Sequence, residues 1–255
     1  MQFSHWYPVG GAPQAPGPSG WIDHAGLFEM KAALAPAAED QLSVVARAER
    51  LRALDARVNR YPRMRFMGSK YRLAGQLAEV FDALPQGPAL DAFSGSGIVA
   101  YTLKATGRQV IANDHLAFAR ALTAALVEND TVLLSPADVE ELCSPNRDGR
   151  SFIADTFDGL YFPATDHAFL DAAWSHVDRL AGAKQALAIS ALCLAAAWKQ
   201  PRGVFTITTP RYDDGRRQMR MSLESLFREA VGNFNNAVFE GAGEGSRSIC
   251  SDVFD

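Results

Sequence analysis

Cysteine is scarce in this chain. Cys143, Cys193 and Cys250 are isolated, and no Cys-x-x-Cys pair occurs. That spacing builds neither a disulfide framework nor a thiolate metal site. The five histidines, His5, His24, His115, His167 and His176, are equally scattered, so no metal is expected. A bilayer span needs about twenty apolar residues, and no run reaches that length. The most apolar run, Ala186 to Trp198, is broken only by Ser190 and reads as a buried helix. No secretory leader pattern is visible, and with the sparse cysteines this points to the cytoplasm. An excess of positive charge is missing too: the net charge is −4. That weighs slightly against a nucleic-acid partner, although a local basic patch works within an acidic chain. Internal repeats are absent.

Apolar residues make up 48% of the 255, ample for one large domain or a core with an inserted subdomain. The most informative stretch is Asp91-Ala92-Phe93-Ser94-Gly95-Ser96-Gly97. Ala89-Leu90 reads as a strand end, and Gly95 and Gly97 allow a tight turn and close approach to a ligand. Ile98 to Leu103 reads as the next helix and Val110-Ile111-Ala112 as the next strand, with Asn113-Asp114 at its carboxyl end. A β-α-β unit with an acid at the tip of its second strand suits the ribose hydroxyls of an adenosine cofactor. Gly95 to Ala100 also fits the dinucleotide pattern G-x-G-x-x-A. Asp91 argues for S-adenosylmethionine over NAD: a carboxylate there suits a cationic amino group and repels a pyrophosphate. Phe93 agrees, because a dinucleotide turn usually keeps small residues.

These stretches resemble the Dam-like family of adenine-specific DNA methyltransferases. Arg65-Phe66-Met67-Gly68-Ser69-Lys70 resembles the family's aromatic-x-Gly-x-Lys box. Asp91 to Gly97 resembles its D-x-F-x-G-x-G cofactor loop, and Asn113-Asp114 its ribose-binding acid. Ser251-Asp252-Val253-Phe254 resembles its acid-aromatic pair. Pro201 to Phe205 and Arg211 to Arg217 are similar to one branch of the family. The likeness spans roughly Arg60 to Asp255. It implies cofactor contacts from Phe66, Gly68, Lys70, Asp91, Phe93, Gly95, Gly97, Asn113, Asp114, Asp252 and Phe254. Lys70 would lie near the methionine end, Asp252 would accept from the adenine amino group, and Phe254 would form an apolar wall; Asp252 as a plain surface acid stays open. The family's Asp-Pro-Pro-Tyr box has no counterpart, since no Pro-Pro occurs. The chain is therefore expected to be the front portion of such an enzyme, with no catalytic residue of its own. Nor is there a Pro-Cys pair, the nucleophile of cytosine-C5 methyltransferases.

Along the chain, residues 1–59 read as an N-terminal extension. Its stretch 8–20 is rich in proline and glycine and should be irregular. Ala37 to Val58 has Leu42, Val45, Leu51, Leu54 and Val58 near helical spacing, as a packing helix or a partner-binding one. Residues 60–130 read as the cofactor-binding α/β core. Arg60, Arg63, Arg65, Lys70 and Arg72 cluster there, either as a solvated run or as a loop facing an anionic ligand. Leu73 to Leu84 and residues 116–128 read as helices. Residues 131–245 read as a helical insertion, clearest over 166–180, 184–198 and 222–239, and by resemblance the region that reads DNA. Within it, Lys199, Arg202, Arg211, Arg216, Arg217 and Arg220 face only Asp213 and Asp214. Arginine forks suit phosphates and guanine edges; a solvated hairpin turning at Asp213-Asp214-Gly215 is the other reading. Residues 246–255 read as a strand returning to the core.

The expected fold is α/β, a Rossmann-type methyltransferase sheet with a helical insertion, incomplete at its C-terminal end. The expected function is methyl transfer from S-adenosylmethionine to the exocyclic amino group of adenine in double-stranded DNA, within restriction-modification. The partners are DNA and the missing catalytic portion, with no membrane and no metal. The alternatives are a non-catalytic DNA- or partner-binding module, an RNA or small-molecule methyltransferase, and an NAD-dependent oxidoreductase.

Overall fold

A computed structural model describes residues 41–201, 205, 213–241 and 245–254. The proline-glycine stretch 8–20, the start of the helix read from Ala37, and Arg202, Thr206 to Thr209, Arg211 and Tyr212 lie outside the described residues. The chain divides into units 1–40 and 41–255, and the second carries the sheet and its helices.

Three short strands form a parallel sheet in the order β1-β2-β3: β1 Ala89–Asp91, β2 Val110–Asn113 and β3 Arg247–Ile249. Ala89 pairs with Val110 and Asp91 with Ala112; Ile111 pairs with Arg247 and Asn113 with Ile249. β2 lies between the other two, and its Val110 and Ala112 are wholly buried. Its apolar run suits a parallel strand covered on both faces. β1 has a free edge. Leu90 is 63% exposed there. An apolar groove of about 550 Å³ runs along that edge from Pro85 and Pro88 to Asp91 and Phe93.

Helix α1, Gln41–Val58, packs through Leu54 and Val58 on α2, Ala74–Ala83, and α3, Ile98–Ala105. Val44 and Val45 on its first half stay exposed, so only the second half of its apolar stripe is covered by described residues. Arg108 closes the end of α2 by donating to the carbonyls of Phe81, Leu84 and Pro85. Cations favour that end of a helix, where the last carbonyls lack partners.

Helix α4, Ala117–Thr123, continues into a π-helical segment, Ala124–Glu128. Two short helices follow, α5 Pro136–Leu142 and α6 Phe152–Thr156. The Ser135–Asp138 capping box with Pro136 after the cap starts α5. Three longer helices follow among the described residues: α7 Ala164–Val177, α8 Gly182–Trp198 and α9 Leu223–Ala237. The apolar run around α8 is the buried helix its composition implies. Its alanines admit Leu226, Phe227, Ala230 and Phe234 of α9 at close range. One hydrophobic cluster runs from α1 through β2 to α9, across position 131. Lys104 of α3 is buried: it reaches Asp130 at 2.8 Å, donates to the carbonyls of Leu126 and Asn129, and lies 4.7 Å from the centre of the Phe239 ring. No described helix is long and apolar enough to cross a membrane.

Candidate cofactor site at the carboxyl ends of the strands

Gly95 (φ +49°) and Gly97 (φ +78°) both take left-handed backbone, which other residues adopt at a cost. Ser94 N–H donates to Asn113 O at 2.8 Å and Gly97 N–H to Ser94 O at 2.7 Å, closing the turn. Space enforces the glycines as well. A Cβ on Gly97 would stand 2.7 Å from the Tyr61 hydroxyl, and one on Gly95 would stand 3.1 Å from the Phe66 ring. Tyr61, buried, donates its hydroxyl to Ser96 O. Ser69 Oγ lies 3.1 Å from Ser96 Oγ. Sequence reasoning misses these roles of Tyr61, Ser69 and Ser96. Tyr61 stands next to an arginine cluster and offers no spacing signal; only the folded turn shows its use.

Asp91 ends β1. Its Oδ2 is buried with no hydrogen-bond partner. Burial pushes its carboxyl above the ordinary range, the backbone amides of Ala100 and Phe93 pull the other way, and Asp114 adds to the rise. Asp114 follows β2 and is fixed by the backbone. Gly95 N–H donates to Oδ2 at 2.7 Å and Leu116 N–H to Oδ1 at 2.9 Å. Each carboxylate oxygen keeps capacity for a further donor.

The remaining sequence candidates fall into three groups. Asn113 is buried, and its amide ties the loops together: Nδ2 donates to Ala92 O and Ser251 O, and Oδ1 accepts from Ser251 N–H. Phe66 packs on the loop at Gly95 and against Phe118, with ring centres 5.9 Å apart. Lys70 is exposed and folds back, donating to Gly68 O at 2.7 Å; Gly68 has a φ of +78° and open space beside it. Phe93 and Phe254 are 75% and 94% exposed. Asp252 is exposed and accepts from Phe254 N–H at 3.1 Å, forming the turn after β3.

The described cations of 199–220 have carboxylate neighbours. Lys199 is buried; Nζ lies 3.2 Å from Asp166 Oδ2 and donates to Met221 O. Arg216 grips Asp214 at 2.8 Å and donates to Gln200 O. Arg217 grips Glu229 at 2.7 Å, and Arg220 stands 3.8 Å from Asp213. Gly215 N–H donates to Asp213 Oδ1, so the turn read at 213–215 is present. Among the described residues no cluster of three or more His, Cys, Asp or Glu could hold a metal ion.

A strand-end acid with an unpartnered oxygen, a glycine turn and a second, backbone-fixed acid thus stand together at the carboxyl ends of a parallel sheet. Residues 66–148 match the D12 class N6 adenine-specific DNA methyltransferase family, so the resemblance to the Dam-like enzymes read from the motifs holds. The chain is 30% identical over 210 residues to the Type II methyltransferase M2.HphI of Haemophilus parahaemolyticus, covering 77% of this chain and 62% of that protein. It thus spans less than two thirds of that relative's length. No solved structure matches the chain.

Proposed function

We propose that this chain holds S-adenosylmethionine for methylation of the adenine amino group in DNA, on a Rossmann-type sheet. The observation that carries the reading is Asp91 Oδ2, buried beside a glycine turn and lacking a partner. A buried carboxylate oxygen is costly without a donor, and a cationic amino group supplies one. A pyrophosphate in its place would meet repulsion, which favours S-adenosylmethionine over NAD. Asp114, held by Gly95 and Leu116, accepts from the ribose hydroxyls. Phe93, Asp252 and Phe254 stand exposed at the same strand ends and close on the adenine.

S-adenosylmethionine, when bound, supplies a sulfonium methyl group. The protein's part is positioning: the target base leaves the stack and its amino nitrogen is brought into line with that methyl. Residues 1–255 hold no Asp-Pro-Pro-Tyr clamp for that nitrogen, so on their own they bind the cofactor but do not turn over. The free edge of β1 can pair with a further parallel strand, and residues following such a strand would emerge beside Asp91 and Phe93. A clamp supplied there, fused or in trans, restores transfer.

Isothermal titration with S-adenosylmethionine and with NAD tests the reading. Saturable binding of the first alone supports it, and binding of NAD alone sinks it. A non-catalytic DNA-binding module differs in one outcome: no methyl incorporation after the clamp is supplied.

A further inference from the structure

Outside the 199–220 stretch, the segment leading into α2 carries cations with no described carboxylate partner. Arg65 and Arg72 are exposed, and no described carboxylate lies within ion-pair range of either. Arg63 lies over the Tyr71 ring, 4.1 Å from its centre, which holds the guanidinium in place while its edge stays in solvent.

These arginines open onto a groove of about 1120 Å³ between that segment and the end of α8. Trp198 and Arg216 line it from the α8 side, and no described aspartate or glutamate lines it. The groove reaches the cofactor loop, because Phe66 and Ser69 also line it and these are the residues that touch Gly95 and Ser96. Its volume exceeds the range of about 300–1,000 Å³ usual for small ligands. Forked, weakly hydrated guanidinium groups suit phosphate oxygens, and interleaved aromatic rings suit unstacked bases.

We propose that this groove takes the DNA strand carrying the acceptor base, with Arg63, Arg65 and Arg72 on its phosphates and Trp198 offering a ring face to a base. The proposal rests on the methyltransferase reading and adds to it the path by which a strand reaches the cofactor loop. Arg216, already held by Asp214, is a lesser contributor at the far side.

The test is the Arg63→Gln/Arg65→Gln/Arg72→Gln triple variant of the full chain. Its binding to a fluorescein-labelled, adenine-containing duplex is followed by anisotropy across a salt series. S-adenosylmethionine is titrated in parallel. Affinity for DNA should fall by about tenfold or more near 100 mM salt. The slope of log affinity against log salt should shrink by about 2–3, at roughly 0.9 per lost phosphate contact. A triple Arg→Lys variant should recover most of the slope, and cofactor affinity should stay unchanged. Wild-type DNA affinity and slope in the glutamine variant would overturn the groove while leaving the DNA reading intact. Loss of cofactor affinity with DNA binding unchanged would reassign these arginines to the cofactor. A wild-type chain that binds no DNA at any salt would overturn both the groove and the DNA arm of the proposed function.

Discussion

Among the described residues of the helical region, several charges are held by partners. Lys199 is buried beside Asp166, Arg216 holds Asp214, Arg217 holds Glu229, and Arg228 reaches Glu140 at 2.5 Å. Asp171, also buried, accepts from the backbone amides of Ile153 and Ala154. Around the glycine loop the pattern is reversed. Asp91 keeps a buried oxygen without a donor, and Arg65 and Arg72 stand exposed with no described carboxylate beside them. A folded chain satisfies its charges internally where they serve stability. The difference also shows why counting charges along a sequence misleads: 199–220 is the cationic stretch by count, yet its described cations are held by neighbouring carboxylates.

The largest effect that could break this contrast is at Lys199. Lys199→Met leaves Asp166 buried without its cation, which should cost about 3–5 kcal/mol in urea unfolding. DNA affinity of the folded fraction should not change. A stable variant with weakened DNA binding would return Lys199 to the surface role that the charge count suggests.

Asp114→Ala comes next. It removes the acceptor expected for the ribose hydroxyls and the cap on Gly95 N–H. Cofactor affinity should drop by about 1–3 kcal/mol in calorimetry.

Asp91 sharpens the contrast through pH. Its folded carboxyl titrates above the ordinary value because of burial. The folded state therefore binds that proton more tightly than the unfolded state. Asp91 costs stability once ionised, a cost that develops as pH rises through the unfolded and then the folded value. Cofactor affinity should run the opposite way, falling as pH drops through the raised folded value, since the amino group needs the carboxylate. Asp91→Asn should flatten both profiles, and thermal melts and titrations across acidic pH read them out.

The smallest effect is at Arg217, paired with Glu229 at the surface. Arg217→Gln should change stability by less than about 1 kcal/mol and the DNA salt slope by less than about one. A larger loss of slope than in the Arg63/Arg65/Arg72 variant would invert the comparison.

Much of this is legible in the sequence where the signal is local. The Asp91–Gly97 turn, β2, and helices α3, α8 and α9 announce themselves through glycine placement and apolar spacing. So does a strand near residue 248, although its pairing with β2 at Asn113 does not. The π-helical end of α4 and the short helices α5 and α6 are not separable from sequence, because a few residues carry too little periodicity. Long-range facts are hidden altogether. Nothing in Lys199-Gln200-Pro201 says that the lysine turns inward to Asp166. Nothing near Tyr61 says that its hydroxyl will fill the space beside Gly97. The arginine cluster at 60–72 is visible, but only the fold shows which of its members keep an open charge and that they share a groove with Trp198.

The central claim is that Asp91 waits for a cation at the cofactor turn. Calorimetric titration of S-adenosylmethionine into the 255-residue chain and its Asp91→Asn variant tests it most directly. The wild type should bind saturably and the variant at least about tenfold more weakly, equivalent to about 1.4 kcal/mol. Equal affinity in a folded Asp91→Asn chain, or no binding by a folded wild type, would contradict it.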